Sequence, residues 1–315
     1  MNNIEEEDCN FELKPGVYDY VSKVKEVING DSAQNKIDEI NNVLRMFNKD
    51  RDYDFNKDLQ RYGKERIVSE LDACLNVFNL EKIQPLVKEG LSYTQKINNE
   101  VQIKPFPIVF LFSPYKRIAS AGEGSECLIN INEVRRKKNL KEEIVNCIAH
   151  ESTHIFLKQL GKEPDWMRQD IKGRVCNFLW WEGVAKYVEP YPGYMDTIFE
   201  NDPKFWVSVV KRWFNSSNLD EKKEIINETM GRESFNSAVK YEYGENYSQL
   251  VEILSLSVKD DKSANDLFLS VIQMGGFGYY IGKEIWEDRI RKGYSVKDLV
   301  MKGSNEMSKW IEEYE

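Results

Sequence analysis

A chain of 315 residues with 41% hydrophobic and 12% aromatic content is long enough to bury a sizeable core and is composed like a globular protein, which excludes wholesale disorder. Its net charge of -9 argues against phosphate-backbone recognition, so no nucleic-acid partner is expected. No apolar run approaches the ~20 residues that span a bilayer, so no membrane partner is expected either.

The first residues, Met1–Cys9, are acidic and polar, without the basic and apolar regions of an export signal. The five cysteines (Cys9, Cys74, Cys127, Cys147, Cys176) are scattered and form no CxxC pair, so neither a disulfide framework nor a thiolate zinc knot is indicated. A cytoplasmic setting is the expectation. The basic strip Arg135-Arg136-Lys137-Lys138 reads as a solvated edge before a helix.

Residues 1–14 read as an acidic lead-in ended by Pro15-Gly16. From Val17 to about Asn98 apolar residues recur at helical spacing, as in Val21, Val24 and Val27–Ile28, then Ile37, Ile40 and Val43–Leu44, then Ile67, Leu71, Leu75 and Phe78. Breaks fall at Gly30-Asp31, Asn48–Asp54 and Asn79, which predicts several packed helices. The pattern changes at Pro105. Pro107–Phe112 is short and apolar and suits a buried strand, and Cys127–Asn132 suits a second, with Ala119–Ser125 as a loop between them.

Asn139 followed by Glu142 is a capping box opening a helix through Ile144, Ile148, Ile155 and Leu160, which ends at Gly161. Further helices are expected at Val175–Glu189, Lys204–Phe214, Glu221–Met230, Glu245–Val258, Tyr279–Lys292 and Val296–Tyr314. The fold class is therefore α+β and mainly helical, with a small sheet preceding the helix of Ile144–Leu160. Residues 1–104 form a helical N-terminal region, and residues 105–315 form the region that carries the chemistry.

That helix contains His150-Glu151-Ser152-Thr153-His154. In a helix, positions i and i+4 lie about 40° apart around the axis and about 6 Å along it, so both imidazoles can aim at one zinc ion. Glu151 is turned away by about 100°, beside the metal without binding it, and can take a proton from a water that the metal has made acidic. These are the chain's two histidines, so a pair that merely packs in a core is the weaker reading.

Catalytic zinc has three protein ligands and an open position. With no third histidine, the remaining ligand must be a carboxylate or a thiolate. Glu182 is the best candidate, in Trp180-Trp-Glu-Gly-Val-Ala-Lys-Tyr-Val-Glu189, where Gly183 and Ala185 would let its helix approach the first. Cys176 is a weaker rival.

HExxH followed by EGxAxYxE resembles the gluzincin metallopeptidases. The resemblance implies His150, His154 and Glu182 as ligands of one Zn2+ and Glu151 as general base. Where some members carry an aspartate four residues after the glutamate, this chain has Lys186, and Glu189 is the alternative partner for the histidines. Gluzincins also supply a tyrosine or histidine to the oxyanion, which here points to Tyr279 in Gly278-Tyr-Tyr-Ile-Gly282 or Tyr241 in Tyr-Glu-Tyr-Gly244. The C-terminal part is similar to the YjaZ-like group of predicted bacterial zinc proteases.

The expected function is hydrolysis of a peptide or protein substrate. An exopeptidase could use Trp166, Trp180, Trp181, Tyr187, Tyr191 and Tyr194 to line a closed pocket, although these residues also suit a core. The reading from another class is a regulatory zinc-binding protein that retains a peptidase-like site. The oligomeric state has no signature in the sequence.

Overall fold

The computed structural model describes residues 16–30, 34–47, 54–95, 97, 104–114, 119–121, 125–168, 170–243, 258–273 and 276–315. It is mainly helical with a four-stranded mixed sheet, as the α+β reading expects. The chain groups into two compact units, residues 1–94 with 101–159 and residues 95–100 with 160–315.

In the first unit, β1 (Gly16–Asp19) leads into α1 (Tyr20–Ile28), α2 (Gln34–Phe47), α3 (Phe55–Tyr62), α4 (Lys64–Val77) and α5 (Leu80–Gln95). Then come β2 (Pro107–Leu111), β3 (Ala119–Ala121), β4 (Cys127–Asn130), α6 (Ile131–Val134) and α7 (Leu140–Gln159). The strand order is β1-β2-β4-β3, with β1, β2 and β4 parallel and β3 antiparallel to β4. Every residue of β2 and β4 is buried, which accounts for the continuous apolar run of β2.

Three expectations are corrected here. The N-terminal region is not wholly helical, because Gly16 pairs with Pro107 and β1 adds an edge to the sheet. The expected loop Ala119–Ser125 begins as β3, paired from Ala119 to Ile129. The second strand stops at Asn130 rather than Asn132, because the Asn130 side chain accepts a hydrogen bond from the Asn132 N–H at 3.2 Å and caps α6. Since β1 joins β2, the sheet groups with the N-terminal helices.

The second unit is helical among its described residues. It holds α8 (Ile171–Val188), α9 (Tyr194–Phe199), α10 (Pro203–Asn215), α11 (Leu219–Gly231), α12 (Glu233–Tyr243), α13 (Asp261–Gln273), α14 (Phe277–Arg291), α15 (Val296–Lys302) and α16 (Met307–Glu312). The single helix expected over Val296–Tyr314 is broken at Gly303, whose φ of 70° is left-handed. The helix expected at Glu245–Val258 lies almost wholly outside the described residues.

Helices α8 and α14 approach closely, and glycines permit it. A Cβ on Gly282 would lie 2.3 Å from the Leu179 carbonyl oxygen and 2.6 Å from the Gly183 Cα. A Cβ on Gly278, one turn earlier, would strike Phe178 at 2.6 Å. Gly183, expected to serve the approach to the histidine helix, thus lies against Gly282 of α14.

Gly282→Ala must push two backbones apart and is expected to cost roughly 1–3 kcal/mol, the usual range for overpacking. Thermal unfolding should show a Tm lowered by several degrees. Gly231→Ala, where an added Cβ meets nothing within 4 Å, should leave Tm nearly unchanged.

Candidate metal centre

Helix α7 begins as its capping signal predicts. Asn139 Oδ1 accepts from the Glu142 N–H at 3.5 Å, and Gly161, at a φ of 66°, stands beyond its C-terminal end. Its residues from Ile144 through Leu157 are all buried, and the helix packs on β3 and β4. Helix α5 covers it as well. A Cβ on Gly90 would fall 2.7 Å from the Ile148 Cβ, so the α5 backbone at Gly90 rests directly on the Ile148 side chain.

Just past that contact, Thr94 Oγ1 donates to the Ala149 carbonyl at 3.1 Å, and Thr153 Oγ1 donates to the same oxygen at 2.7 Å. The peptide unit immediately before His150 is therefore held from two sides. Neither Gly90 nor Thr94 stands out in the sequence, because their role depends on a partner more than 50 residues away.

His150 and His154 are 9% and 4% exposed, and their rings meet edge-to-face with Nε2 atoms 3.2 Å apart. Two nitrogens each ~2.0–2.1 Å from one tetrahedral zinc ion would stand about 3.3–3.4 Å apart, so the spacing fits a shared ion. It also fits a shared proton when no ion is bound. Glu151 follows on the same buried helix at 8% exposure.

The Cys127 thiol on β4 is pushed well above its usual value, chiefly by burial and further by the nearby Glu151 charge. That thiol is a poor ligand at neutral pH. Cys176, the rival third ligand, is pushed up to about 12 by burial, so a metal would first have to displace its proton.

Glu182 lies on α8, whose N-terminus is capped by Asp170 through the Gly173 N–H at 2.5 Å. Among the described residues, His150, His154 and Glu182 form a group that could hold a metal ion.

One turn before Glu182 is Phe178, and the Tyr279 ring stands edge-on to it with centroids 5.5 Å apart. Gly278 and Tyr279 open α14 directly against this part of α8. Tyr241, on α12, is 44% exposed, and its Tyr-Glu-Tyr-Gly context runs out of the described residues.

Glu189, the candidate partner for the histidines, is engaged by Lys186 at 2.5 Å. Lys186 also meets Asp196 at 3.0 Å, and Asp196 meets Lys283 at 3.3 Å. Burial pulls the Lys186 ammonium down, but the charges of Glu189 and Asp196 outweigh it and hold the group above its usual value. Lys186, at the position where some gluzincins carry an aspartate, is thus the centre of a buried ion network that ties α8 to α9 and α14.

Comparison with family models, with curated proteins and with solved structures finds no match.

Thr94→Val removes one donor from a buried carbonyl while keeping the side-chain shape. It is expected to cost about 0.5–1.5 kcal/mol in denaturant unfolding, with Thr94→Ser recovering most of the loss.

Proposed function

We propose that the chain is a zinc-dependent peptidase of gluzincin type, with His150, His154 and Glu182 as the metal ligands and Glu151 as general base. The observation that carries this reading is the 3.2 Å approach of the two Nε2 atoms on a helix whose intervening residue is a buried glutamate. Two imidazoles and a carboxylate are the nitrogen and oxygen donors that zinc accepts, and three of them leave one coordination position for substrate or water. When bound, zinc supplies a Lewis acid that polarises the scissile carbonyl and acidifies water.

The residues of the chain divide the remaining work. Glu151, turned about 100° from His150 around α7, accepts a proton from the attacking water and returns it to the leaving amine. Tyr279 donates a hydrogen bond to the oxyanion that develops on the carbonyl. The Phe178 contact that orients its ring favours Tyr279 over the more exposed Tyr241. The hydroxyls of Thr94 and Thr153 hold the peptide unit that aims His150.

The second reading, a zinc-binding regulatory protein that does not hydrolyse peptides, shares the ligands but leaves Glu151 without a task.

Purified protein is expected to carry about one equivalent of zinc, measured by elemental analysis, and His154→Ala or Glu182→Ala should release it. Glu151→Gln should keep the metal but slow peptide hydrolysis by ~10²–10⁴-fold, the usual contribution of a positioned base. Wild-type turnover in Glu151→Gln would remove that residue from the mechanism. A zinc-loaded wild type that cleaves nothing in a peptide library would favour the regulatory reading.

A further inference from the structure

Residual exposure along α7 is unevenly distributed. Within the buried stretch Ile144–Leu157, Asn146, Cys147, His150 and Glu151 are 7–9% exposed and His154 is 4% exposed, while every other residue is at most 1% exposed. At 100° per residue these five fall within an arc of about 140° around the axis, with the two histidines near its middle. The opposite face is covered by α5, where Gly90 lies on Ile148 and Thr94 bonds to the Ala149 carbonyl. The arc that carries the imidazoles is therefore the side of α7 that water still reaches.

This arc extends one turn beyond the histidine pair, toward the N-terminus of the helix. After His154 it meets Leu157, which is 0% exposed, whereas before His150 it continues through Asn146 and Cys147 to the partly exposed Glu143. Asn146 stands four residues before His150, the same spacing that pairs His150 with His154. Its Cβ is then about 5–6 Å from that of His150.

The residue type matters as much as the place. Ile144, Val145 and Ile148 show what the closed face of this turn takes, and asparagine is mostly an exposed residue. Burying a carboxamide costs about 1–3 kcal/mol unless hydrogen bonds compensate it. The group has two N–H donors and two acceptor lone pairs, so a contact within the protein still leaves positions for a ligand.

We propose that Asn146 is a substrate-binding residue whose carboxamide holds the backbone of the peptide about two residues from the scissile bond. The inference rests on the peptidase reading and deepens it. One turn of α7 is about 6 Å, which an extended chain covers in about two residues at 3.2–3.4 Å each. The N–H and C=O of one residue point to the same side of an extended chain, so the carboxamide oxygen accepts from the first while its amino group donates to the second. The substrate class is thus a peptide that continues at least two residues past the cut on one side, recognised there through its backbone rather than its side chain.

The test uses zinc-loaded full-length protein and blocked peptides built on the best-cleaved sequence of a library. The peptides are shortened one residue at a time from each end, and a second set replaces single backbone N–H groups by ester oxygens. For wild type, KM should rise ~5–10-fold when the residue about two positions from the cut is removed on one side, or when its N–H becomes an ester, the scale of one or two hydrogen bonds. Asn146→Ala should show the higher KM with the full peptide and lose the response to both changes, while kcat and zinc content stay within about twofold. The ester should also weaken binding of the peptide to zinc-loaded Glu151→Gln, measured by calorimetry.

A merely structural role for Asn146 would raise KM for long and short peptides alike and keep the step with length. That result, or a wild-type KM indifferent to shortening and to ester replacement at every position, overturns this inference and leaves the peptidase reading intact. A zinc-loaded wild type that cleaves no peptide overturns the peptidase reading and this inference with it.

Discussion

Fourteen consecutive buried residues of α7, from Ile144 to Leu157, put His150, Glu151 and His154 where water is scarce, and the surrounding structure has to answer for that. Burying an ionisable group without a partner costs several kcal/mol, so such a helix persists only if neighbours or an ion compensate it. The sheet meets α7 through β3 and β4, and α5 meets it through Gly90. The carbonyl of Ala149 takes two hydroxyl donors in addition to its place in the helix. What remains are two imidazole nitrogens facing each other at 3.2 Å, a spacing at which a cation satisfies both lone pairs at once.

How much of this is legible in the sequence depends on the distance over which each feature is determined. The α7 boundaries follow from Asn139 and Gly161, and the pairing of His150 with His154 follows from helical period alone. Both are set within one element, and both appear as expected. Strand β1 is not legible, because four residues carry no alternation long enough to register and Gly16–Asp19 becomes a strand through its pairing with Pro107–Phe110. Lys186 is similar. As a sequence position it is a missing aspartate, and only the fold shows that it is buried between Glu189 and Asp196.

The segment Gly278-Tyr-Tyr-Ile-Gly282 shows how a motif can hold two kinds of information. Its glycines are one turn apart on the face of α14 that meets α8, and each occupies a place where a Cβ would collide with Phe178 or the Leu179–Gly183 backbone. Read alone, that spacing explains the glycines entirely by packing. The tyrosine between them then gains its position from the same contact, since a helix held this close to α8 must set the Tyr279 ring against Phe178. Packing and chemistry are not competing explanations here, because the close approach is what orients the ring.

On the proposed reading, the choice between a catalytic and a structural role for a bound metal turns on donor count and on Glu151. A structural zinc site is closed by four protein ligands, whereas the group that could hold an ion among the described residues has three members, His150, His154 and Glu182. Three donors leave one coordination position free for substrate or water. Glu151, adjacent in sequence to a ligand yet turned away by a third of a helical turn, adds a buried carboxylate that a purely structural ion would not require. The nearby Cys127 thiol feels its negative charge. On the proposed peptidase reading, a buried carboxylate beside a metal with an open coordination position is the group that moves a proton.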